Sequence, residues 1–163
     1  MKLKSLTLIF FAFIAIHSFA QKSHKKHFDF TKDSIAKCLT PIEGKSIVYI
    51  VRPSAMGAAI RMRVDCDSQR IGANYAAQYI YTVLEPGNHT FSSKAENRSS
   101  LDILLEAGKI YYIKQQSKIG ILYSETGLKL LSDEDGQKFL KKCILSKDNA
   151  YTNDDDNADD IKN

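Results

Sequence analysis

Ser46-Ile47-Val48-Tyr49-Ile50-Val51-Arg52 (SIVYIVR) decides the fold class. β-Branched and aromatic residues follow one another with no polar alternate. Neither face is left for water, and the stretch reads as a central strand covered on both sides. Pro53 ends it, since proline has no N–H to give a ladder. A loop of small residues, Ser54 to Ala59 with Gly57, leads to a strand of different character. In Ile60-Arg61-Met62-Arg63-Val64-Asp65-Cys66 the apolar residues alternate with charged ones. Ile60, Met62, Val64 and Cys66 therefore share one face, and Arg61, Arg63 and Asp65 the other.

Working outward, Ser68-Gln69 reads as a tight turn and Arg70 to Gly72 as a short returning strand. Tyr79 to Leu84 (YIYTVL) is another strand. Glu85-Pro86-Gly87-Asn88 then reads as a type II turn in which Gly87 takes a positive φ, so that His89 to Ala95 returns as a hairpin partner. Leu101 to Leu105 alternates again, Ala107-Gly108 turns the chain, and Ile110 to Gln116 is a further strand. Ile119 to Leu131 holds another strand or hairpin. One helix is clear: Ser132 is a suitable N-cap with Asp135 three residues on, and acidic residues open the helix where its dipole favours them. Phe139, Leu140, Cys143 and Ile144 fall on one stripe of it. Asp33 to Leu39 has room for a helical turn or two. Short strands at turn spacings of about 8 to 12 residues argue for a β-sandwich. The expected class is mostly β: a small antiparallel β-sandwich with one C-terminal helix packed on it.

The ends have a different character. Lys2 and Lys4 precede an apolar run from Leu6 to Ile16, and Ser18-Phe19-Ala20 supplies small residues at the positions a signal peptidase reads. This is the three-part secretory leader, and its apolar run falls short of the roughly 20 residues of a membrane span. Gln21 follows, not the cysteine of a lipid anchor. The expected organisation is a leader at 1–20, a lead-in at 21–44, the sandwich domain with its helix at 45–147, and a disordered acidic tail at 148–163. A soluble periplasmic or extracellular protein follows, with no membrane span once the leader is cleaved. The formal charge of the 163-residue chain is +4. Two of those positive charges lie in the leader, so nucleic acid is not an expected partner.

Three cysteines allow one bridge at most. Cys66 continues the apolar face of its strand and reads as a buried free thiol. Cys38 and Cys143 remain for a disulfide, which in an exported chain would close nearly the whole domain and stabilise it by roughly 4 to 5 kcal/mol.

Tyr49 to Gly57 (YIVRPSAMG), Val64 to Gly72, Glu85-Pro86-Gly87-Asn88-His89 and Ala107-Gly108-Lys109-Ile110-Tyr111-Tyr112-Ile113 occur in one order. Together they resemble the exported bacterial "domain of unknown function 2846" family, over roughly Lys45 to Cys143. The resemblance implies a small sandwich of the carboxypeptidase-regulatory or PEGA kind, in which a Pro-Gly-x-His turn recurs. It supplies no catalytic residue. Family members often carry a lipid anchor, which this chain departs from, and Asp67-Ser68 stands where an Asp-Gly turn is usual.

Arg52, Arg61, Arg63 and His89 form the expected binding surface, with Arg70 beside them. Arginines on one strand face suit phosphate, anionic glycan or an acidic protein surface. Asp65 and Asp67 share that face, and ion pairs within the sheet are the simpler account. His89 with Ser92 or Ser93 would be the only nucleophile and base pair, and no elbow motif surrounds them. His24 and His27 sit three apart in a basic segment without acidic company, and the acidic tail lacks the glycine and terminal glutamate of a calcium loop. Asn88-His89-Thr90 and Asn97-Arg98-Ser99 match glycosylation acceptors, and exposed tyrosines among Tyr75, Tyr79, Tyr81, Tyr111, Tyr112 and Tyr123 would stack on sugar rings. No metal or cofactor is expected. The functional expectation is a non-catalytic binding or accessory domain of the bacterial cell envelope, its partner an envelope protein or glycan. The alternatives are a structural or stress-resistance envelope protein, or a small hydrolase acting through His89.

Overall fold

The computed structural model describes residues 30–55, 57–119 and 124–151. The leader expected at 1–20, residues 21–29 of the lead-in and residues 152–163 of the tail expected at 148–163 lie outside them, as do His24, His27 and Tyr123. The first tail residues, 148–151, are described and bonded to the domain, the Ala150 N–H donating to Ile71 O at 3.0 Å and Asn149 Oδ1 accepting from the Tyr81 N–H at 2.7 Å. Nine strands are described: β1 Ser46–Arg52, β2 Met62–Cys66, β3 Gln69–Asn74, β4 Gln78–Leu84, β5 Gly87–Lys94, β6 Arg98–Leu105, β7 Ile110–Ile119, β8 Ser124–Leu130 and β9 Ile144–Leu145. Two helices, α1 Phe30–Lys37 and α2 Asp133–Leu140, complete the described elements. The strands form a five-stranded sheet in the order β8-β7-β1-β4-β9 and a four-stranded sheet in the order β3-β2-β5-β6.

β1 is central and all seven of its residues are buried, as its unbroken apolar run requires. Its side chains alternate between two cores. Val48 and Ile50, with Ile80 and Ile113 of the same sheet, meet Val64, Cys66, Phe91, Ile103 and Leu105 of the other sheet. Ile47, Tyr49 and Val51 point the opposite way, joining Tyr79, Tyr81, Tyr112, Ala36, Leu140 and Cys143 under the helices. Each fully buried Val, Ile or Phe stabilises the fold by about 1.5–3 kcal/mol. The sandwich is thus one side of a thicker stack, with a helical layer on the far face of the five-stranded sheet.

The helices are fastened to that sheet by polar bonds within an aromatic layer. The Tyr49 hydroxyl donates to Ala36 O at 2.6 Å, capturing a carbonyl in the last turn of α1, and that of Tyr79 donates to Asp33 O at 3.2 Å in the middle of the helix. The Asp33 carboxylate accepts from the Leu145 N–H at 2.8 Å and from Lys37 at 2.7 Å, tying α1 to β9. Ser132 caps α2 by accepting from the Asp135 N–H. Gly136 lets α2 lie directly on Tyr112: a Cβ there would sit 2.1 Å from the ring.

Four expectations are corrected. The five-stranded sheet is mixed, not purely antiparallel, because β1 runs parallel to β7 and β4 parallel to β9. The segment after Glu85-Pro86 does not return as a hairpin on β4. It crosses to the other sheet, where β5 pairs with β2 and β6. Gly87 does take the expected positive φ, 140°, a value that L side chains rarely adopt, and with it the chain rounds a corner between sheets. The C-terminal helix ends at Leu140, so Cys143 lies beyond it and Ile144 enters β9. The tight turn sits one residue earlier than expected: Asp67 and Ser68 both have positive φ, and Cys66 pairs with Gln69, the pattern of a two-residue hairpin loop.

The cysteines also differ. Cys38, Cys66 and Cys143 are all free, with Cys38 exposed and the other two buried. The expected Cys38–Cys143 bridge is absent because Cys143 turns into the core beneath α1 while Cys38 faces outward. Burial pushes the Cys143 thiol up to about 11 and the Cys66 thiol up to about 12. A thiol reagent at neutral pH should therefore modify one cysteine in the native chain and three after unfolding without reductant. Two cysteines silent after unfolding would restore the bridge.

Burial also raises the Tyr49, Tyr79 and Tyr112 phenols above their ordinary value of 10.0. A phenol raised in the folded state contributes stability that is present below pH 10 and is lost as pH climbs towards the folded value. Alkaline unfolding should therefore begin above about pH 10, with tyrosinate absorbance rising together with loss of the strand circular-dichroism signal. Tyr49→Phe and Tyr79→Phe should each flatten this alkaline limb. Each should lose about 1 kcal/mol at neutral pH with its hydroxyl bond.

Candidate functional site

The outer face of the four-stranded sheet carries the charged residues. Register places Arg63 of β2 opposite Lys94 of β5, and Lys94 opposite Arg98 of β6. Three cations thus form a row across three adjacent strands, all exposed. The neighbouring row holds Arg70, Asp65, Ser92 and Ser100. Asp65 is buried and binds Arg63, with Nε to Oδ1 at 2.5 Å, so the ion pair expected within this face is present. Among the described residues no carboxylate lies within ion-pair distance of Lys94 or Arg98. Arg61 leaves the row and pairs with Asp148 at 2.8 Å. Lys94 and Arg98 were missed because neither lies in an alternating run. The signal was their spacing, since residues flanking the short Ala95–Asn97 loop of a hairpin must face each other.

His89 stands at the far end of this sheet. Its Nδ1 lies 2.6 Å from Asp67 Oδ2 and its Nε2 2.9 Å from Glu85 O. Asp67 Oδ1 accepts from the Thr90 N–H at 2.9 Å, and the Asp67 N–H donates to Thr90 O at 3.0 Å. The Asp67-Ser68 turn is thereby locked to the start of β5, and the His89 ring closes the corner between the sheets. These bonds from Thr90 and His89 hold the Asp67 carboxyl below the usual carboxylate range. The Cys66 thiol donates to Asp67 Oδ2 at 3.7 Å. Neither serine considered with His89 is among the ring's partners: Ser92 is buried on the opposite face of β5, and Ser93 bonds Thr126 and Gln115 inside the sandwich.

Arg52 does not belong to the binding surface. It is wholly buried, at 0% exposure, at the end of β1. Nη1 donates to Ile60 O at 2.6 Å and Asn74 O at 3.1 Å, and Nη2 to Gly57 O at 2.8 Å. A flat fork of donors suits carbonyls that converge from the end of β3 and from the loop before β2. Gly57 allows that approach: with φ 65°, a Cβ there would lie 2.9 Å from Ser117 Oγ and 3.4 Å from Arg52 Nη2. The tyrosines are also mostly interior. Tyr79, Tyr81 and Tyr112 are buried, Tyr75 is exposed, and the half-buried Tyr111 accepts the Glu106 N–H.

Comparison with known proteins shows the family. The family model described as "Protein of unknown function (DUF2846)" matches residues 42–128, more than half of the chain. The chain belongs to that family. It is also similar to an uncharacterized protein of Haemophilus influenzae, 33% identical over 108 residues. That match covers 66% of this chain and 64% of the relative, so the chain spans less than two thirds of the relative's length. The matched span runs from just before β1 into β8, and holds Arg52, the cation row, Asp67 and His89.

Replacing Arg52 with methionine keeps the bulk but leaves three carbonyls without their donor. The expected loss is about 3 kcal/mol in urea unfolding. Arg52→Lys should recover less than half, since an ammonium cannot fork between Nη1 and Nη2 positions. A neutral Arg52→Met variant would remove this account.

Proposed function

We propose that the chain is a non-catalytic binding module of the bacterial cell envelope, exported by its N-terminal leader, that docks an anionic surface on the outer face of the four-stranded sheet. The row Arg63, Lys94 and Arg98 carries the reading. Like charges directly opposite one another on a sheet destabilise it. Asp65 offsets one of the three, and Lys94 and Arg98 keep their full charge facing solvent. Ser100 on the same face, with Arg70 beside Asp65, adds donors suited to sulfate, phosphate or carboxylate oxygens. The row is exposed and spans three strands, which fits an extended partner such as an anionic glycan or an acidic protein surface better than a small molecule. The leader pattern at Lys2, Lys4 and Leu6 to Ile16 supports export, and the likeness to carboxypeptidase-regulatory or PEGA sandwiches belongs to the same reading.

Heparin is the first probe, as a sulfated polysaccharide of known charge. The wild-type protein should be retained at low salt and released as salt screens the contacts. The double reversal Lys94→Glu with Arg98→Glu should weaken binding roughly tenfold, about 1.4 kcal/mol. Its melting temperature should hardly move, since both side chains are exposed. Retention unchanged by the double reversal would overturn this docking face.

A further inference from the structure

Cys66, Asp67 and His89 each present one ligand atom, and these three atoms lie within 4.8 Å of one another. They come from two elements, the end of β2 with its turn and the start of β5, which the Asp67–Thr90 bonds hold in register. The donor set is one sulfur, one imidazole nitrogen and one carboxylate oxygen. That mixture suits a borderline-soft divalent ion such as zinc or cobalt over calcium or magnesium, which favour oxygen alone.

The atoms around the cluster are arranged as the outer partners of such a site would be. A histidine ligating through one ring nitrogen gives its other N–H to a carbonyl or carboxylate. His89 Nε2 faces Glu85 O at 2.9 Å, which leaves Nδ1 towards Cys66 and Asp67. A ligating carboxylate is itself hydrogen-bonded through its second oxygen. Asp67 Oδ1 accepts the Thr90 N–H at 2.9 Å while Oδ2 faces His89. Both contacts are made from backbone groups, so the two side chains are oriented whether or not a third body sits between them.

The contacts of the His89 ring have a feature that a cation would resolve. Both His89 neighbours, a carboxylate oxygen and a carbonyl oxygen, are acceptors. Both bonds form together only when the ring carries two protons. A divalent ion in place of the Nδ1 proton leaves Nε2–H to Glu85 O intact and meets the same carboxylate. Tetrahedral zinc at ordinary bond lengths separates its nitrogen and oxygen ligands by about 3.3 Å and its sulfur from either by about 3.5 Å. The present separations are 2.6 Å from Nδ1 to Oδ2 and 3.7 Å from Sγ to Oδ2. A spread of under about one ångström in the exposed Asp67 turn, which also brings Sγ closer to Nδ1, makes the site.

We infer that Cys66, Asp67 and His89 form a three-ligand site for a zinc-class divalent cation, with solvent completing the fourth position at the half-exposed Asp67. On binding, the ring proton and the thiol proton pass to solvent, and the ion takes their place. The site would clamp the hairpin turn to the corner between the sheets. It lies at the opposite end of the sheet from the cation row and is independent of the docking reading.

The test uses cobalt and zinc with the purified chain carrying Cys38→Ser, which removes the exposed competing thiol. Cobalt should bind one to one with a thiolate charge-transfer band in the near ultraviolet, zinc should displace it, and zinc should raise the melting temperature. Cys66→Ser should abolish the band. His89→Gln should weaken binding by more than the tenfold that losing an outer partner causes. Asp67→Asn, at an exposed turn, gives the same direction of change in a variant whose folding is not in question, checked by its metal-free melting curve. Absence of the band, its survival in Cys66→Ser, or an equal zinc shift in His89→Gln and Asp67→Asn would overturn the site.

Discussion

β1 has no face for water, and the rest of the molecule is arranged around that fact. Seven consecutive buried residues need cover on two sides, and one sheet cannot cover itself. Val48 and Ile50 bring in the second sheet; Ile47, Tyr49 and Val51 bring in the helices. The two covers differ in chemistry. Between the sheets the packing is aliphatic with Phe91 among it, whereas beneath the helices it is a layer of tyrosines whose hydroxyls bond to helix backbone. Short helices of eight residues have many unpaired backbone groups relative to their length. An aromatic layer ending in hydroxyls anchors them as well as covering the strand.

Much of this was legible from residue types. SIVYIVR announced a strand buried on both faces, and the alternation from Ile60 to Cys66 announced one with a single buried face. Ser132 announced the start of a helix. Where reading failed, the reason is that local chemistry does not encode partners. Glu85-Pro86-Gly87 marks a change of direction, and a turn within a sheet and a corner between sheets use the same residues. Parallel pairing of β1 with β7 joins Ile47 to Ile110, a separation no local pattern records. Ile144 falls on a helical stripe by period alone, but the helix ends at Leu140 and Ile144 instead pairs with Gln78.

The candidate sites show the same division. Arg63 and His89 were visible as chemistry-bearing residues, and the ion pair of Arg63 with Asp65 follows from two-residue spacing on one strand face. Arg52 looked like its companions, since a charge at a strand end normally reaches water. Its burial depends on Gly57, Ile60 and Asn74 delivering carbonyls to one point. Lys94 and Arg98 became neighbours only through the hairpin register. Cys66, Asp67 and His89 are brought together by a turn and a corner, and twenty-two residues separate Asp67 from His89 in the chain. Cys66, read as a buried free thiol from its strand face, is buried and free, with its Sγ beside Asp67 Oδ2.

The parallel pairing of β1 with β7 has a consequence for how the chain acquires its shape. β1 is among the first described elements in sequence, but one of its two strand neighbours ends at Ile119, and the side chains that cover its helical face include Leu140 and Cys143. An emerging chain therefore holds this doubly apolar strand for some ninety residues before the last of its cover exists. Contacts of such long sequence separation form slowly, since the intervening loop must close before they contribute. The domain cannot consolidate piecemeal from its N-terminus. It stays open until nearly all of it is present, so a chain cut short before α2 would leave β1 with one face partly uncovered.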